Sequence, residues 1–333
     1  MPSSIDWFQY GVDPACWPRP ELSERLLDRV VYSDFHETRR RRLSERIRLA
    51  RLSAPWKTDG QLARLAASPR RPGESFRFAV LGDAEPGRYW LTRALFAVPG
   101  AFQAQWADLQ TRGVDFCVQL GDAVSRGSVR NYLRLLHDLS SLRDPAPYLP
   151  VLGNHDRRYP HGKADCELFR SVFGKTHYAF DRGGYRFAVL DTSARRLTRR
   201  QFLWLEKVLD TDLRTVVFTH VPPADLEVWK DFSGRWRGYG GFKEGSSEFL
   251  RLMSRRRVER VYFGHIHAFG VREEGGVRYV LTGGGGSPLY PMGLQDRFHH
   301  YLVVEAGPDG LQDTVHCADG RSFVVPGRGF VSR

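Results

Sequence analysis

Cysteine is scarce: Cys16, Cys117, Cys166 and Cys317 are the four in a chain of 333 residues. No two form a Cys-x-x-Cys pair, so neither a disulfide framework nor a thiolate zinc site is indicated. Cys117 and Cys166 lie beside apolar segments and read as buried free thiols, the pattern of a reducing compartment, and the expected location is cytoplasmic. No apolar run reaches the about 18 residues that a membrane-spanning helix needs. The start, Met1 to Tyr10, carries Asp6 and no basic cluster before an apolar stretch, which argues against a secretory signal. Internal repeats are lacking, and low complexity is confined to Gly283 to Gly286.

What the chain does have is enough apolar material for a large core: 41% hydrophobic against 26% charged residues. Its formal charge of +12 favours acidic partners without naming one; nucleic acid, anionic lipid and phosphorylated small molecules all fit. The character changes near residue 75, which divides the chain into a basic helical extension, 1–75, and a larger domain, 76–333. In the first part, Glu21 to Val31 and Thr38 to Leu52 read as helices. The second of these is strongly basic between Arg39 and Arg51, with Leu43, Ile47 and Ala50 on one face, and is a candidate dock for an anionic partner. Residues 68–73, Ser-Pro-Arg-Arg-Pro-Gly, read as a linker.

From Ser75 onward, short apolar runs alternate with helical patterns. The runs are Phe76 to Leu81, Asp115 to Leu120, Tyr148 to Leu152, Tyr185 to Leu190, Thr215 to Thr219 and Arg260 to Phe263. Helical patterns fall at Ala101 to Thr111, Val129 to Leu139, Thr198 to Leu209 and Ser246 to Arg256. A strand-rich tail follows, with runs at Val277 to Leu281, Tyr301 to Val304 and Phe323 to Val325. This is an α/β layout with helices on the faces of a sheet.

In such a fold ligands bind beyond the carboxyl ends of the strands. Collecting the residues there gives Asp83, Asp122, then Asn154, His155 and Asp156, then His220, then His265 and His267. Each group follows a strand, and a glycine stands immediately ahead of most of them, where the chain must turn sharply. Carboxylate oxygens combined with imidazole nitrogens suit Mn, Fe or Zn ions. A single Gly-Asp after a strand is usually a turn; five such exits in order are not.

These motifs resemble those of the calcineurin-like metallophosphoesterases: Gly-Asp at 82–83 and 121–122, Gly-Asn-His-Asp at 153–156, His220 before Val-Pro-Pro, and Gly-His-Ile-His at 264–267. Softer likenesses are Tyr178-Ala-Phe-Asp, the segment 188–193, the segment 197–206 and the glycine run after Thr282. The resemblance spans about residues 76–305. It implies a four-layer αββα sandwich carrying a dinuclear centre of two divalent metal ions. By that resemblance Asp83 and His267 hold one metal, Asp122 bridges, and Asn154, His220 and His265 hold the other. The implied activity is hydrolysis of a phosphomonoester or phosphodiester by a hydroxide shared between the metals.

One motif departs from the family. Where Asp-x-His is usual, this chain has Asp83-Ala84-Glu85. Glu85 either replaces the imidazole as a ligand or points away and leaves the first site weak. A carboxylate there shifts preference from Zn toward Mn, Fe or Mg. A second Asp-x-His, Asp34 to His36, is set aside because it follows a helical pattern. His155 is the candidate general acid: it neighbours a ligand, and an imidazole titrates near working pH. Asp156 is expected to accept its other N–H and orient it. The long loop Pro222 to Gly245 places Trp229, Trp236, Tyr239 and Phe242 among cations, and Arg126 follows Asp122; both suit a phosphorylated small molecule or a nucleotide as substrate. The competing reading is a protein that docks on nucleic acid or membrane through its basic helix while its phosphoesterase domain is weakened or inactive.

Overall fold

A computed structural model describes residues 39–85, 98–158, 165–226, 241–289 and 298–326. The expected helix at 21–31, Asp34 to His36, and Trp229, Trp236 and Tyr239 all lie outside these residues. The chain begins with helix α1 (Arg39–Ser53), a short 3-10 turn (Ala54–Trp56) and α2 (Thr58–Ala66). Two sheets follow. The first is built from β1 (Phe76–Leu81), β2 (Phe116–Gln119) and β3 (Tyr148–Pro150), with α3 (Ala101–Gln110), α4 (Val129–Leu139) and α5 (Glu167–Phe173) in the connections. The second comprises β4 (Tyr178–Arg182), β5 (Tyr185–Leu190), β6 (Arg214–Thr219), β7 (Arg260–Phe263), β8 (Phe269–Glu274) and β9 (Val277–Thr282), with α6 (Arg199–Val208) and α7 (Ser246–Arg255) between strands. The chain then returns to the first sheet as β10 (His300–Gly307), β11 (Gly310–Cys317) and β12 (Ser322–Val324).

The strand orders are β12-β11-β10-β1-β2-β3 and β4-β5-β6-β7-β9-β8. The central pairs β1·β2, β2·β3, β5·β6 and β6·β7 are parallel, so their carboxyl ends share one edge. Side chains alternate across each strand. Phe78 and Val80 face the second sheet, where they join Phe187, Val189 and Phe218. Ala79 and Leu81 face the helices of the first sheet with Trp106 and Leu136, while Ala188 and Leu190 do the same on the second with Leu205 and Phe249. Burial on both faces explains why these strands read as unbroken apolar runs. The result is the expected αββα sandwich.

The segment before β1 is docked on this frame. Trp56 meets Tyr148 edge-on at 6.0 Å, and Thr58 Oγ1 donates to the Phe173 carbonyl at 2.9 Å. The Tyr148 amide donates to Gln61 Oε1 at 2.9 Å. The Arg182 guanidinium, from β4, donates to the Leu65 and Ser68 carbonyls and pairs with Asp115. The face of α1 differs from the expectation: Leu43 and Ile47 are exposed, and Leu49 is the residue turned into the core. The apolar spacing of Leu43, Ile47 and Ala50 therefore marks the solvent side of α1, and Leu49 and Ser53 are the residues of this helix that are buried among the described side chains. Cys117, Cys166 and Cys317 are buried free thiols, in agreement with the reading of the first two.

Candidate metal centre

Loops at the carboxyl ends of β1, β2, β3, β6 and β7 are stitched together at the seam between the sheets. The Ala84 and Glu85 amides donate to the Asp122 carbonyl at 3.1 and 3.0 Å, tying the β1 exit to the β2 exit. The His155 amide donates to Asp122 Oδ1 at 2.8 Å, and the His265 amide donates to both Asp83 oxygens at 3.0 and 2.9 Å. Asp122 and His265 hold φ values of 47° and 72°, in the left-handed region that non-glycine residues rarely enter. Such strain collects where a site must over-determine geometry. Gly153 is required for close approach: a Cβ there would lie 2.1 Å from the Asp122 amide nitrogen. Gly121 takes a positive φ of 89°.

The donor atoms of Asp122, His220 and His265 all lie within 4.8 Å of one another, and all three residues are buried. His220 Nδ1 lies 2.7 Å from the Leu120 carbonyl, which fixes the proton on that nitrogen. Its Nε2 then faces two acceptors, Asn154 Oδ1 at 2.9 Å and Asp122 Oδ2 at 3.2 Å. Three lone-pair groups converging in a buried place need a cation between them, either a proton on Nε2 or a metal ion. His265 Nε2 is buried and makes no hydrogen bond. His267 repeats the pattern beside it: Nδ1 lies 2.7 Å from the Pro288 carbonyl, and Nε2 is 3.6 Å from Asp83 Oδ1. A buried lone pair with no donor, next to carboxylate and amide oxygens, is what a divalent ion completes; the residues fit one.

Electrostatics follow from the packing. Burial works against charge on His220, but the Asp122 carboxylate overrides it and pushes the imidazole up to about 9. Burial likewise opposes charge on Asp122, yet the charges of His220 and His155 hold the carboxyl well below its ordinary range. Burial, with Arg195 and His220 nearby, drives His265 far below the usual imidazole value, so its ring is neutral. His267 is raised: its desolvation is outweighed by the bond to Asp83.

Glu85 and Asp156 sit behind the converging donors. Glu85 is buried beside His155, its Oε1 3.8 Å from His155 Nδ1; like Asp83 and His267, it lies outside the three-residue cluster of Asp122, His220 and His265. The oxygens of Asp156 accept from the Val124 and Gly153 amides at 3.2 and 2.8 Å, and His155 Nδ1 lies 3.1 Å from the Ser125 carbonyl. Asp156 therefore fixes the β2 and β3 exit loops, with both carboxylate oxygens taken by backbone amides. Its carboxyl is pushed up to about 7 by burial and by the Asp122 charge. Arg126 Nε donates to the Arg158 carbonyl at 3.0 Å. His299 and His300 are buried near this edge: His300 Nε2 lies 3.0 Å from Thr282 Oγ1, and His299 Nδ1 lies 3.3 Å from the Gly284 carbonyl. Arg157 was not singled out by sequence; it bonds Ser193 Oγ at 2.8 Å and approaches Asp191 at 3.5 Å beside the site. Its position directly after Gly-Asn-His-Asp is the signal that could have marked it.

No curated protein matches the chain. Among solved structures, purple acid phosphatase PPD1 from yellow lupin (Lupinus luteus) superposes with a TM-score of 0.59 at 17% identity, over 77% of this chain and 54% of that one. The chain thus spans little more than half of the lupin protein's length. The structure of PhoD gives a TM-score of 0.53 at 11% identity, over 79% and 74% of the two chains. GAP50, the anchor in the inner membrane complex of Plasmodium, gives 0.51 at 16% identity, over 78% and 91%. At these identities the likeness is one of fold. The family model of the calcineurin-like phosphoesterases matches residues 76–269, more than half of the chain, and the chain belongs to that family.

Proposed function

We propose that this protein is a metal-dependent phosphoric ester hydrolase. The observation that carries the reading is the convergence of Asp122 Oδ2, Asn154 Oδ1 and His220 Nε2 beside the bare His265 Nε2. Asp122, Asn154, His220 and His265 would hold one divalent ion, and Asp83 with His267 would contribute to a second. When bound, such ions make water acidic enough to act as a nucleophile near neutral pH and offset charge on the phosphoryl oxygens. The remaining work falls to the chain. The Leu120 and Pro288 carbonyls hold His220 and His267 in the tautomer that leaves Nε2 toward the site. The Ser125 carbonyl and Glu85 hold His155 at the rim, where it is half-buried. From there it delivers a proton to the leaving oxygen.

Glu85 beside His155 favours a second version of the same reading. With no imidazole at position 85, the Asp83 and His267 position has fewer donors than the Asp122 position, and the tight site is a single one. The deciding experiment strips the full chain of metal, reloads it with Mn, Fe, Zn or Mg, and measures hydrolysis of mono- and bis-nitrophenyl phosphate against metal content. Turnover that tracks bound metal supports the reading; bound metal with no hydrolysis of either ester removes it.

A further inference from the structure

Helix α1 (Arg39–Ser53) carries a surface that neither the core nor the candidate centre uses. Leu49 joins Tyr132, Leu136 and Phe169 in the core, which seats α1 against α4 and α5 and fixes the side it turns outward. At about 100° per residue, Leu43, Ile47 and Ala50 form one strip. All three are exposed, Leu43 by 62% and Ile47 by 56%. Arg46 borders the strip on one side, Arg51 and then Arg48 on the other, and these too are exposed. The neighbouring α4 adds exposed Arg130, Arg134 and His137.

These arginines differ from those on the opposite outer layer. On α7, Arg251, Arg255 and Arg256 each reach a carboxylate, of Glu248, Glu206 and Asp210 respectively. Among the described residues, Arg46, Arg48, Arg51, Arg130 and Arg134 pair with no carboxylate. The acids of α1 and α4, Glu45 and Asp138, are half-buried, and Asp138 accepts from Gln103 of α3 at 3.0 Å. The face is one of uncompensated positive charge with two aliphatic side chains in its middle.

A second copy of the chain would meet like charge on this face. Nucleic acid would answer the arginines, but its phosphates gain nothing from Leu43 and Ile47. An anionic bilayer answers both features: its headgroups attract guanidinium groups, and its interfacial layer takes up shallow aliphatic side chains. No helix among the described residues is long and apolar enough to cross a membrane, so the contact is with the surface. We propose that the outer face of α1, with Arg130 and Arg134 beside it, docks the protein on an anionic membrane surface, Leu43 and Ile47 entering the headgroup layer. None of the candidate metal ligands takes part, so the proposal stands independently of the phosphoesterase reading.

Vesicle co-sedimentation of the full-length protein tests it. The probes are vesicles of phosphatidylcholine alone, vesicles of phosphatidylcholine mixed with phosphatidylglycerol, and a duplex DNA titrated in parallel. The wild type is expected to bind the mixed vesicles, less tightly as salt rises, and not the neutral ones. A basic residue at such a surface is worth about fivefold in partitioning, so Arg46→Glu combined with Arg51→Glu should weaken binding at least about twentyfold. Leu43→Ser combined with Ile47→Ser keeps the charge; it should weaken vesicle binding about fivefold and leave any DNA binding unchanged. Arg199→Glu combined with Leu203→Ser, an exposed pair of the same chemistry on α6, should bind vesicles like the wild type. Should the melting temperature show that the α1 arginine variant is unfolded, Arg130→Glu combined with Arg134→Glu takes its place with the same expectation. Failure to bind mixed vesicles overturns the proposal, and binding of duplex DNA in their stead makes the face a nucleic-acid dock. Vesicle binding undiminished by the two serines reduces the contact to diffuse charge attraction and overturns it as well. An equal loss in the α6 variant shows that net charge, not the α1 face, governs binding. A dimer seen by light scattering that the two serines disperse would assign the face to a second copy.

Discussion

The two sheets contribute opposite chemistry to the same edge. The first brings Asp83, Asp122 and Asn154, all oxygen donors; the second brings His220, His265 and His267, all nitrogen donors. Neither half is a site, because a row of buried carboxylates or of buried imidazoles is costly by itself. The seam joins them as Asp122 with His220 and Asp83 with His267. Elsewhere the sheets are joined by buried ion pairs of another kind: Arg182 of β4 with Asp115, and Arg260 of β7 with Asp313 of β11, which also accepts from the Tyr262 hydroxyl. In those, the cation is a guanidinium that never gives up its proton. At the candidate centre the cation is an imidazolium, whose proton a metal ion can displace. The same device, a charge pair across the seam, is structural with arginine and exchangeable with histidine.

The largest effect on the centre should come from breaking the exchangeable pair. Asp122→Ala removes the charge that holds the His220 proton, so the buried imidazole becomes neutral at a cost below the about 3–5 kcal/mol of stranding a buried cation, and the change removes a candidate ligand as well. Denaturant unfolding of the metal-free variant near neutral pH and its metal content report the two consequences. Asp313→Ala should cost more stability, about 3–5 kcal/mol, because the buried Arg260 guanidinium cannot shed its charge, while metal uptake survives. If Asp313→Ala instead lost metal as completely as Asp122→Ala, the distinction between the two kinds of seam would fail.

His155 is the imidazole that the first sheet supplies, and it stands outside the converging cluster. His155→Ala should keep its metal and lose turnover by about 10² to 10⁴, the usual share of a general acid. The loss should shrink for nitrophenyl esters, whose leaving group needs little protonation. Loss of metal in this variant would place His155 among the ligands.

His300 gives a third imidazole environment, on the first sheet but facing Thr282 of the second and, among the described residues, no acid. Burial lowers it from the ordinary 6.5 to about 4. A group with a depressed folded value contributes stability that is present above about 6.5 and lost as pH falls toward 4. At about 1.4 kcal/mol per unit, the loss over that window is about 3 kcal/mol. Unfolding free energies measured between pH 7 and 4 on the wild type and His300→Gln would show it as a difference in slope. His220 has the opposite sign: its proton is held up to about 9, so metal must displace it below that pH. Apparent metal affinity should therefore rise about tenfold per pH unit toward 9, by proton competition; a flat profile would mean that His220 does not bind the metal.

Much of this was legible in the sequence because the parallel strands are buried on both faces. Their apolar runs end abruptly in glycine and a polar residue, so Asp83, Asp122, Asn154, His220, His265 and His267 stand out as strand exits. Strands β4, β8 and β11 were not read as such; they are half-buried and carry charges, as in Tyr178–Arg182 and Phe269–Glu274. Helices α2 and α5 are short, and α2 holds Gly60, so periodicity gave little to find. Long-range partners were out of reach in principle. Nothing local says that Arg182 will cap the carbonyls of Leu65 and Ser68, or that Asp156 will serve the Gly153 and Val124 amides. Leu43 and Ile47 show the limit of pattern reading: helical spacing reveals a face but not whether the fold covers it.

Glu85 is where sequence left two readings, and it gives the smallest and most discriminating test. As a ligand it would sit among Asp83, His267 and Asp122, and Glu85→Gln would strip one metal. The structure instead places its carboxylate 3.8 Å from His155 Nδ1, on the first sheet's side of the seam, with its amide bound to the Asp122 carbonyl. On the reading that this carboxylate serves the proton donor, its charge acts first on His155 and also reaches His267. Glu85→Gln should accordingly leave metal content unchanged at limiting metal. It should lower turnover by about tenfold, the low end for residues that orient a functional imidazole. The deficit should be larger for an alkyl phosphate than for a nitrophenyl phosphate, because only the former depends on His155. In the His155→Ala background the same substitution should add almost nothing, since the group it positions is gone. Additive losses in the double variant, or a metal stoichiometry that falls in Glu85→Gln, would return Glu85 to the ligand set and make the acidic half of the site one carboxylate larger.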